Sequence, residues 1–299
     1  MKTLSLLIFF LSFSCCHESL SPKIELIEPY SEELELKEPF PDKPFGQVFE
    51  KKDFKLTYIG SHHSNNRNSK TFELIEKALK ESGAKLIIVE GFEHKHGLNP
   101  KAYLKSFQET STETFYKHGE TAFASLEATK KGIPFTGGEP DEKDLLKAVL
   151  KEGYSTLDLM FFYSLRQIPQ LKRQKELGEK PLEELFIRYI KYNRSKLGYD
   201  KNFNPEFTEF KAWYKKRNKK EFSLKNFNAE EVSPLLSGEF YTQRIAGRVS
   251  LERDKFIVKV IAESLEKYKN VMITYGKSHL SSQRPALEEL LGKPRKTFH

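Results

Sequence analysis

Cysteine is almost absent from this chain. Of its 299 residues only Cys15 and Cys16 are cysteines, and they are neighbours. Adjacent thiols cannot build a disulfide framework or a cysteine-based zinc site. Long hydrophobic runs are missing as well. The mostly apolar stretch Leu4 to Phe13 is ten residues interrupted by Ser5 and Ser12, against the roughly 20 apolar residues a bilayer-spanning helix needs. No second long apolar run follows it, which excludes a multi-span membrane protein. With 16 glycines and 14 prolines the chain is neither collagen-like nor a Pro/Gly-rich low-complexity sequence.

Aromatic residues are plentiful by contrast. The chain has 24 Phe and 13 Tyr beside a charged fraction of 31%, more core-forming material than a disordered sequence carries. The formal charge is +8, which leaves a basic, nucleic-acid-binding surface to be weighed.

The N-terminus reads as an address. Lys2 precedes the short apolar stretch, as in a secretory signal. The following Ser12-Phe13-Ser14-Cys15-Cys16 resembles a bacterial lipobox, with Phe13 bulky for that box. A lipidated Cys15 or Cys16 implies membrane lipid as a partner, because two or more acyl chains suffice for stable anchoring. The reading is therefore an exported, membrane-anchored lipoprotein, periplasmic or at the cell surface, with a signal over 1–16.

Charge then divides the chain. Residues 17–50 hold nine acids and three lysines, net -6, whereas residues 51–299 carry +13. Five prolines lie in 17–50, so the segment suits an acidic extended tether. Phe40, Phe45 and Phe49 suit equally a strap packed on the domain.

Four strand-like runs end alike. Phe54–Ile59 leads into Gly60-Ser61-His62-His63, and Lys85–Val89 into Glu90-Gly91. Ile133–Thr136 leads into Gly137-Gly138-Glu139, and Asn270–Tyr275 into Gly276-Lys277-Ser278-His279. Continuous apolar runs such as Leu86–Val89 are expected in a parallel sheet buried on both faces. Helical patterns over Ser69–Ser82, Thr121–Lys131 and Leu251–Tyr268 alternate with the strands. The expected fold class is α/β, a mainly parallel sheet of βαβ units, over residues 51–299. Residues 143–245 read as a helical insertion, with helices over Leu157–Leu177 and Pro181–Lys196, capping the strand ends.

In parallel sheets the site lies outside the carboxyl ends of the strands, where His63, Glu90, Glu139 and His279 fall. Two imidazoles and two carboxylates suit a divalent metal such as Mn, Co or Zn, whose bound water becomes a nucleophile near neutral pH. Without a metal the same groups suit general acid–base chemistry. Glycine before each histidine is expected to let the backbone turn sharply and approach a ligand closely.

The two GxxH motifs, the Val89-Glu90-Gly91 triplet and the Glu252-Arg253-Asp254, helix, strand, GxxH-Leu280 ending resemble the TIKI/TraB/GumN group. The wider superfamily takes in erythromycin esterase and the ChaN-type haem-binding lipoproteins. The resemblance covers about residues 54–140 and 250–292, and it implies a metal-dependent hydrolase of a peptide or ester. Carried over by position, it implies His63, Glu90 and His279 at a metal or its water, Glu139 as a ligand or general base, and Arg253 on a substrate carboxylate or oxyanion or in an ion pair with the glutamates. Asp254 would point into the site or pack locally. The second histidine, His62, departs from the family's pattern. The alternative implied is a non-catalytic binder of metal or haem, with an exposed His62 or Tyr275 as haem ligand.

Two further clusters invite a functional reading. Glu93-His94-Lys95-His96 could add ligands, or form an exposed loop. Lys215–Lys220 beside Trp213-Tyr214 could bind nucleic acid, but export argues against that partner and favours a solvated face or contact with anionic lipid or polysaccharide. Lys172–Lys175 carries the same solvated reading.

Overall fold

The computed structural model describes residues 19–108, 118–173, 182–197 and 199–299. The signal and lipobox reading at Cys15 and Cys16 lies outside them. Among the described residues no helix is long and apolar enough to cross a membrane.

The elements in chain order are α1 (Glu32–Leu36), β1 (Phe45–Lys51), β2 (Phe54–Ser61), α2 (Lys70–Glu81), β3 (Leu86–Glu93), α3 (Lys101–Gln108), α4 (Gly119–Lys130) and β4 (Phe135–Glu139). They continue with α5 (Glu142–Leu150), α6 (Thr156–Arg173), α7 (Leu182–Leu197), α8 (Phe207–Asn218), α9 (Tyr241–Tyr268), β5 (Asn270–Gly276), α10 (Lys277–Leu291) and β6 (Lys296–Phe298). The six strands form one sheet in the order β4-β3-β5-β2-β1-β6. The four strands read from sequence, β4, β3, β5 and β2, are mutually parallel, and β1 joins antiparallel to both β2 and β6. The fold is thus α/β with a mainly parallel sheet.

The continuous apolar runs fill both faces, as side chains alternate along a strand. Leu86, Ile88, Val271, Ile273 and Tyr275 pack with Ile257, Ile261 and Leu265 of α9 and Leu280 and Leu287 of α10. Ile87, Val89 and Met272 face the other way, onto Phe72 and Ile75 of α2 and Phe123 and Ala124 of α4. Glu90 continues the parity of Leu86 and Ile88, so it emerges on the side of α9 and α10.

The helical insertion has a core of its own. Met160, Phe161 and Leu165 of α6, Phe186 and Ile190 of α7, and Phe210, Trp213 and Tyr214 of α8 pack with Ile245 and Val249 of α9. Helix α9 is ten residues longer at its start than the sequence pattern suggests, and this extra length is what joins the insertion to the sheet. The expected helix end at 174–177 lies outside the described residues.

The acidic segment corrects the tether reading for its described part. It packs on the domain as a strap, and the domain begins before residue 51, since β1 is a sheet strand. The physical reason is a buried cation. Lys277 has a side chain only 3% exposed, and its ammonium meets Glu35 at 2.5 Å and the Pro41 carbonyl. An unpaired buried charge costs several kcal/mol, so the strap is what allows Lys277 to be buried. Glu38 pairs with Arg284, and Leu20 N–H donates to Glu266 at 2.5 Å.

Candidate functional site

The carboxyl ends of β2, β3, β4 and β5 converge as the sequence suggested. β3 leaves the regular ladder after Val89, and its register to β4 shifts between Val89 and Glu93. Gly91 within that bulge has φ +98°, a backbone state that only glycine adopts without strain. The bulge re-aims Glu90 toward the start of α10. There its Oε2 accepts the Gly276 N–H at 2.8 Å, a favoured place for an anion at a helix N-terminus.

The glycines of the two GxxH motifs have a different reason from a sharp turn, for neither has a positive φ. Both serve close approach. A Cβ on Gly60 would stand 3.3 Å from the Lys277 Cα, and one on Gly276 3.3 Å from His279 and 3.5 Å from Glu90 Oε2.

Arg253, on α9, lies between the two glutamates. Its Nε donates to Glu139 Oε2 at 2.7 Å and its Nη2 to Glu139 Oε1 at 2.5 Å. The same Nη2 reaches Glu90 Oε1 at 3.1 Å and the Tyr275 hydroxyl at 3.2 Å, and that hydroxyl donates to Glu139 Oε1 at 2.6 Å. Burial alone would raise the pKa of both carboxyls. The Arg253 charge and the hydrogen bonds from Arg253 and Tyr275 together outweigh it at Glu139, lowering that group to about 2, and the Arg253 charge with the nearby histidines holds Glu90 below its usual range. Arg253 is therefore the ion pair that fixes both glutamates. Its Nε and Nη2 are thereby taken up by the two glutamates and Tyr275.

His279 is oriented from behind. Its Nδ1 sits 2.7 Å from Asp254 Oδ1, and Gln283 donates to the same oxygen at 2.6 Å while accepting from the Tyr58 hydroxyl at 3.1 Å. A carboxylate can only accept, so Nδ1 carries the proton and Nε2 is left facing the site. Asp254, 1% exposed, thus acts through His279 rather than packing idly. Nε2 lies 4.0 Å from Glu90 Oε1.

His63 is near enough to Glu90 to interact with its charge, and it pairs through Nδ1 with Glu120 of α4. The histidine is 73% exposed and the glutamate 7%. This hydrogen bond, against the opposing effect of burial, raises His63 to about 9, with water at its open side damping the shift. His62 has Lys277, Glu35 and Asp42 among its charged neighbours. Burial first, and then the Lys277 charge, lower its pKa. Tyr275 is fully buried and hydrogen-bonded, so the exposed tyrosine ligand of the haem reading is corrected.

The donor set for a metal can be tested on these contacts. Glu90 and Glu139 accept from Arg253, Nδ1 of His279 is bound to Asp254, and His63 is turned to Glu120. Among the described residues no three His, Cys, Asp or Glu donors surround a common point. In this arrangement the Arg253 guanidinium is the cation that faces both carboxylates.

No family model, curated protein or solved structure matches the chain. The family resemblance therefore rests on the GxxH, VEG and Arg-Asp residues themselves.

The remaining clusters are structural. His94 Nδ1 contacts the Gly137 carbonyl at 3.0 Å, Lys95 pairs with Asp141 at 2.6 Å, and His96 with Glu93 at 3.4 Å. The first two tie the end of β3 to β4 and to Asp141 just beyond it. Trp213 and Tyr214 are buried in the insertion core, so they offer no stacking platform beside Lys215–Lys220. Lys172 caps the Leu224 and Phe227 carbonyls.

Sequence reasoning missed four contributors. Gln283 was within reach, since it follows His279 by one helical turn. Glu120 comes from the first turn of α4, which carries no strand-end signal. Tyr163 and Arg166, both on α6, line a cleft of about 210 Å³ with Gly91, Glu139 and Arg253; nothing in a helical pattern says which face overhangs a site.

Proposed function

We propose that the chain is an exported hydrolase of ester or peptide bonds that works by general acid–base catalysis at the strand ends. The observation that carries this reading is the Asp254–His279 pair, which leaves Nε2 free beside Glu90. A water between Nε2 and Glu90 Oε1 would give its proton to Nε2, with Asp254 stabilising the imidazolium, as in the orienting role of a triad aspartate. The hydroxide adds to the substrate carbonyl. The leaving oxygen or nitrogen departs with a proton from His63, which its high pKa keeps charged near neutral pH. An acid and an alcohol or amine result; His279 returns its proton to solvent and His63 takes one back, which restores both residues. Arg253 is a positioning residue here, keeping Glu90 and Glu139 ionised and still. The resemblance to hydrolases with paired GxxH motifs supports the same class.

A second reading, a divalent-metal site, is favoured by one observation. A carboxylate behind Nδ1 is also how metal-ligating imidazoles are oriented. Rates of the mature domain on p-nitrophenyl esters and a mixed fluorogenic peptide library, with and without chelator, separate the two. Activity that survives chelation supports the acid–base reading. Activity lost with chelator and restored by Mn, Co or Zn supports the metal. No hydrolysis of any substrate by the folded domain overturns both. Membrane anchoring through Cys15 or Cys16 belongs to the same proposal and is tested by radiolabelled palmitate incorporation.

A further inference from the structure

The cleft above Glu139 and Arg253 has two walls. Residues of the strand ends form one, and the insertion forms the other through Leu145 of α5, Tyr163 and Arg166 of α6, and Val249 of α9. Tyr163 and Arg166 are three residues apart and share a helix face.

Arg166 stands out among the arginines near the site. Arg253 is committed to Glu139 and Glu90, and Arg248 pairs with Glu152 at 3.0 Å. Arg166 is exposed to the cleft, and no described residue offers it a hydrogen bond or an ion pair. Burial against the surrounding protein, and then the Arg253 cation, lower its pKa from the ordinary value, opposed by Tyr163, Glu139 and Glu90. Tyr163 is only 6% exposed, and its hydroxyl has no partner among the described residues, although a buried hydroxyl usually has one.

We propose that Tyr163 and Arg166 form a subsite for a carboxylate carried by the substrate. The role suggested for Arg253 by sequence thus passes to the cap. A guanidinium takes a carboxylate through two parallel hydrogen bonds, and the tyrosine hydroxyl can donate a third. A single carboxylate group fits the subsite better than a doubly charged phosphate group, because Glu93, Glu139 and Glu142 also line the cleft. Glu139 at its floor places this subsite beside the acid–base machinery, so the acyl or peptide portion carrying the carboxylate would lie across Glu90.

The inference rests on the hydrolase reading for its kinetic test but not for its binding test. The kinetic test compares p-nitrophenyl hemisuccinate with p-nitrophenyl acetate. The wild-type domain is expected to prefer the hemisuccinate in kcat/KM by about tenfold or more, the scale of a charge-assisted pair. Arg166→Gln is expected to remove most of that preference, and Arg166→Lys to keep part of it. The binding test measures thermal stabilisation by succinate against chloride at equal ionic strength. Succinate is expected to raise the Tm of wild type and not of Arg166→Gln. Equal preference, or equal stabilisation, in wild type and Arg166→Gln overturns the subsite. Absence of hydrolysis together with Arg166-dependent succinate binding overturns the hydrolase reading and leaves the subsite standing.

Discussion

Arg253 and Glu139 meet side-on, Nε to Oε2 at 2.7 Å and Nη2 to Oε1 at 2.5 Å, while the same Nη2 reaches back 3.1 Å to Glu90. One guanidinium therefore balances two carboxylates that are each nearly buried. Left without it, they would face each other in a site that excludes most water.

Arg253→Met is accordingly expected to destabilise the domain by about 3–5 kcal/mol, the cost of leaving a buried charge unpaired. Adding Glu139→Leu should recover part of the loss, since it removes one stranded charge. Urea denaturation of the three proteins checks both. A single variant as stable as wild type contradicts the arrangement.

Acid should undo the same pair. The Glu139 pKa is lowered to about 2 from an ordinary value near 4.5. A depressed pKa contributes stability that is complete above about pH 4.5 and is lost as pH falls toward 2. Wild type should therefore lose stability over that window more steeply than Glu139→Gln, as read from urea midpoints at pH 5, 4 and 3.

His63 titrates in the opposite sense. Its pKa is raised to about 9 by Glu120, so the pair's contribution is complete below about pH 6.5 and is lost as pH rises through 9. The ring is mostly exposed, so the amplitude should stay below about 1 kcal/mol. NMR titration of His63 should show the high pKa in wild type and a value near 6.5 in Glu120→Gln.

Asp254→Asn should leave His279 in place but free its tautomer. The expected outcome is a fall in kcat of about a hundredfold or more with KM little changed, the usual size of a lost acid–base contribution. Nitrogen chemical shifts of His279 should show the proton moving off Nδ1. An unchanged tautomer with an unchanged kcat removes the orienting role.

The strap offers a prediction away from the site. Glu35→Gln removes the carboxylate that meets buried Lys277 and should cost about 3 kcal/mol. The Lys277→Met/Glu35→Gln double variant should recover most of it.

Much of this was legible in the sequence, and for a physical reason. Strands buried on both faces leave continuous apolar runs, so β2, β3, β4 and β5 were visible, along with the polar residue each delivers at its end. β1 was hidden because four of its seven residues are polar or glycine, and β6 because three residues carry no pattern. The pairing of Arg253 with both glutamates was open, since a chain of letters does not say whether an arginine faces its neighbours or a ligand. Glu120, Tyr163 and Arg166 were invisible for a related reason. Each reaches the site from a helix whose orientation is set by packing rather than by its own periodicity.

The most direct test of the account is the rate of ester hydrolysis by His279→Gln beside wild type in the presence of chelator. The account predicts that wild type keeps its activity under chelation and that His279→Gln loses about a hundredfold or more of it. Equal rates for the two proteins would contradict it.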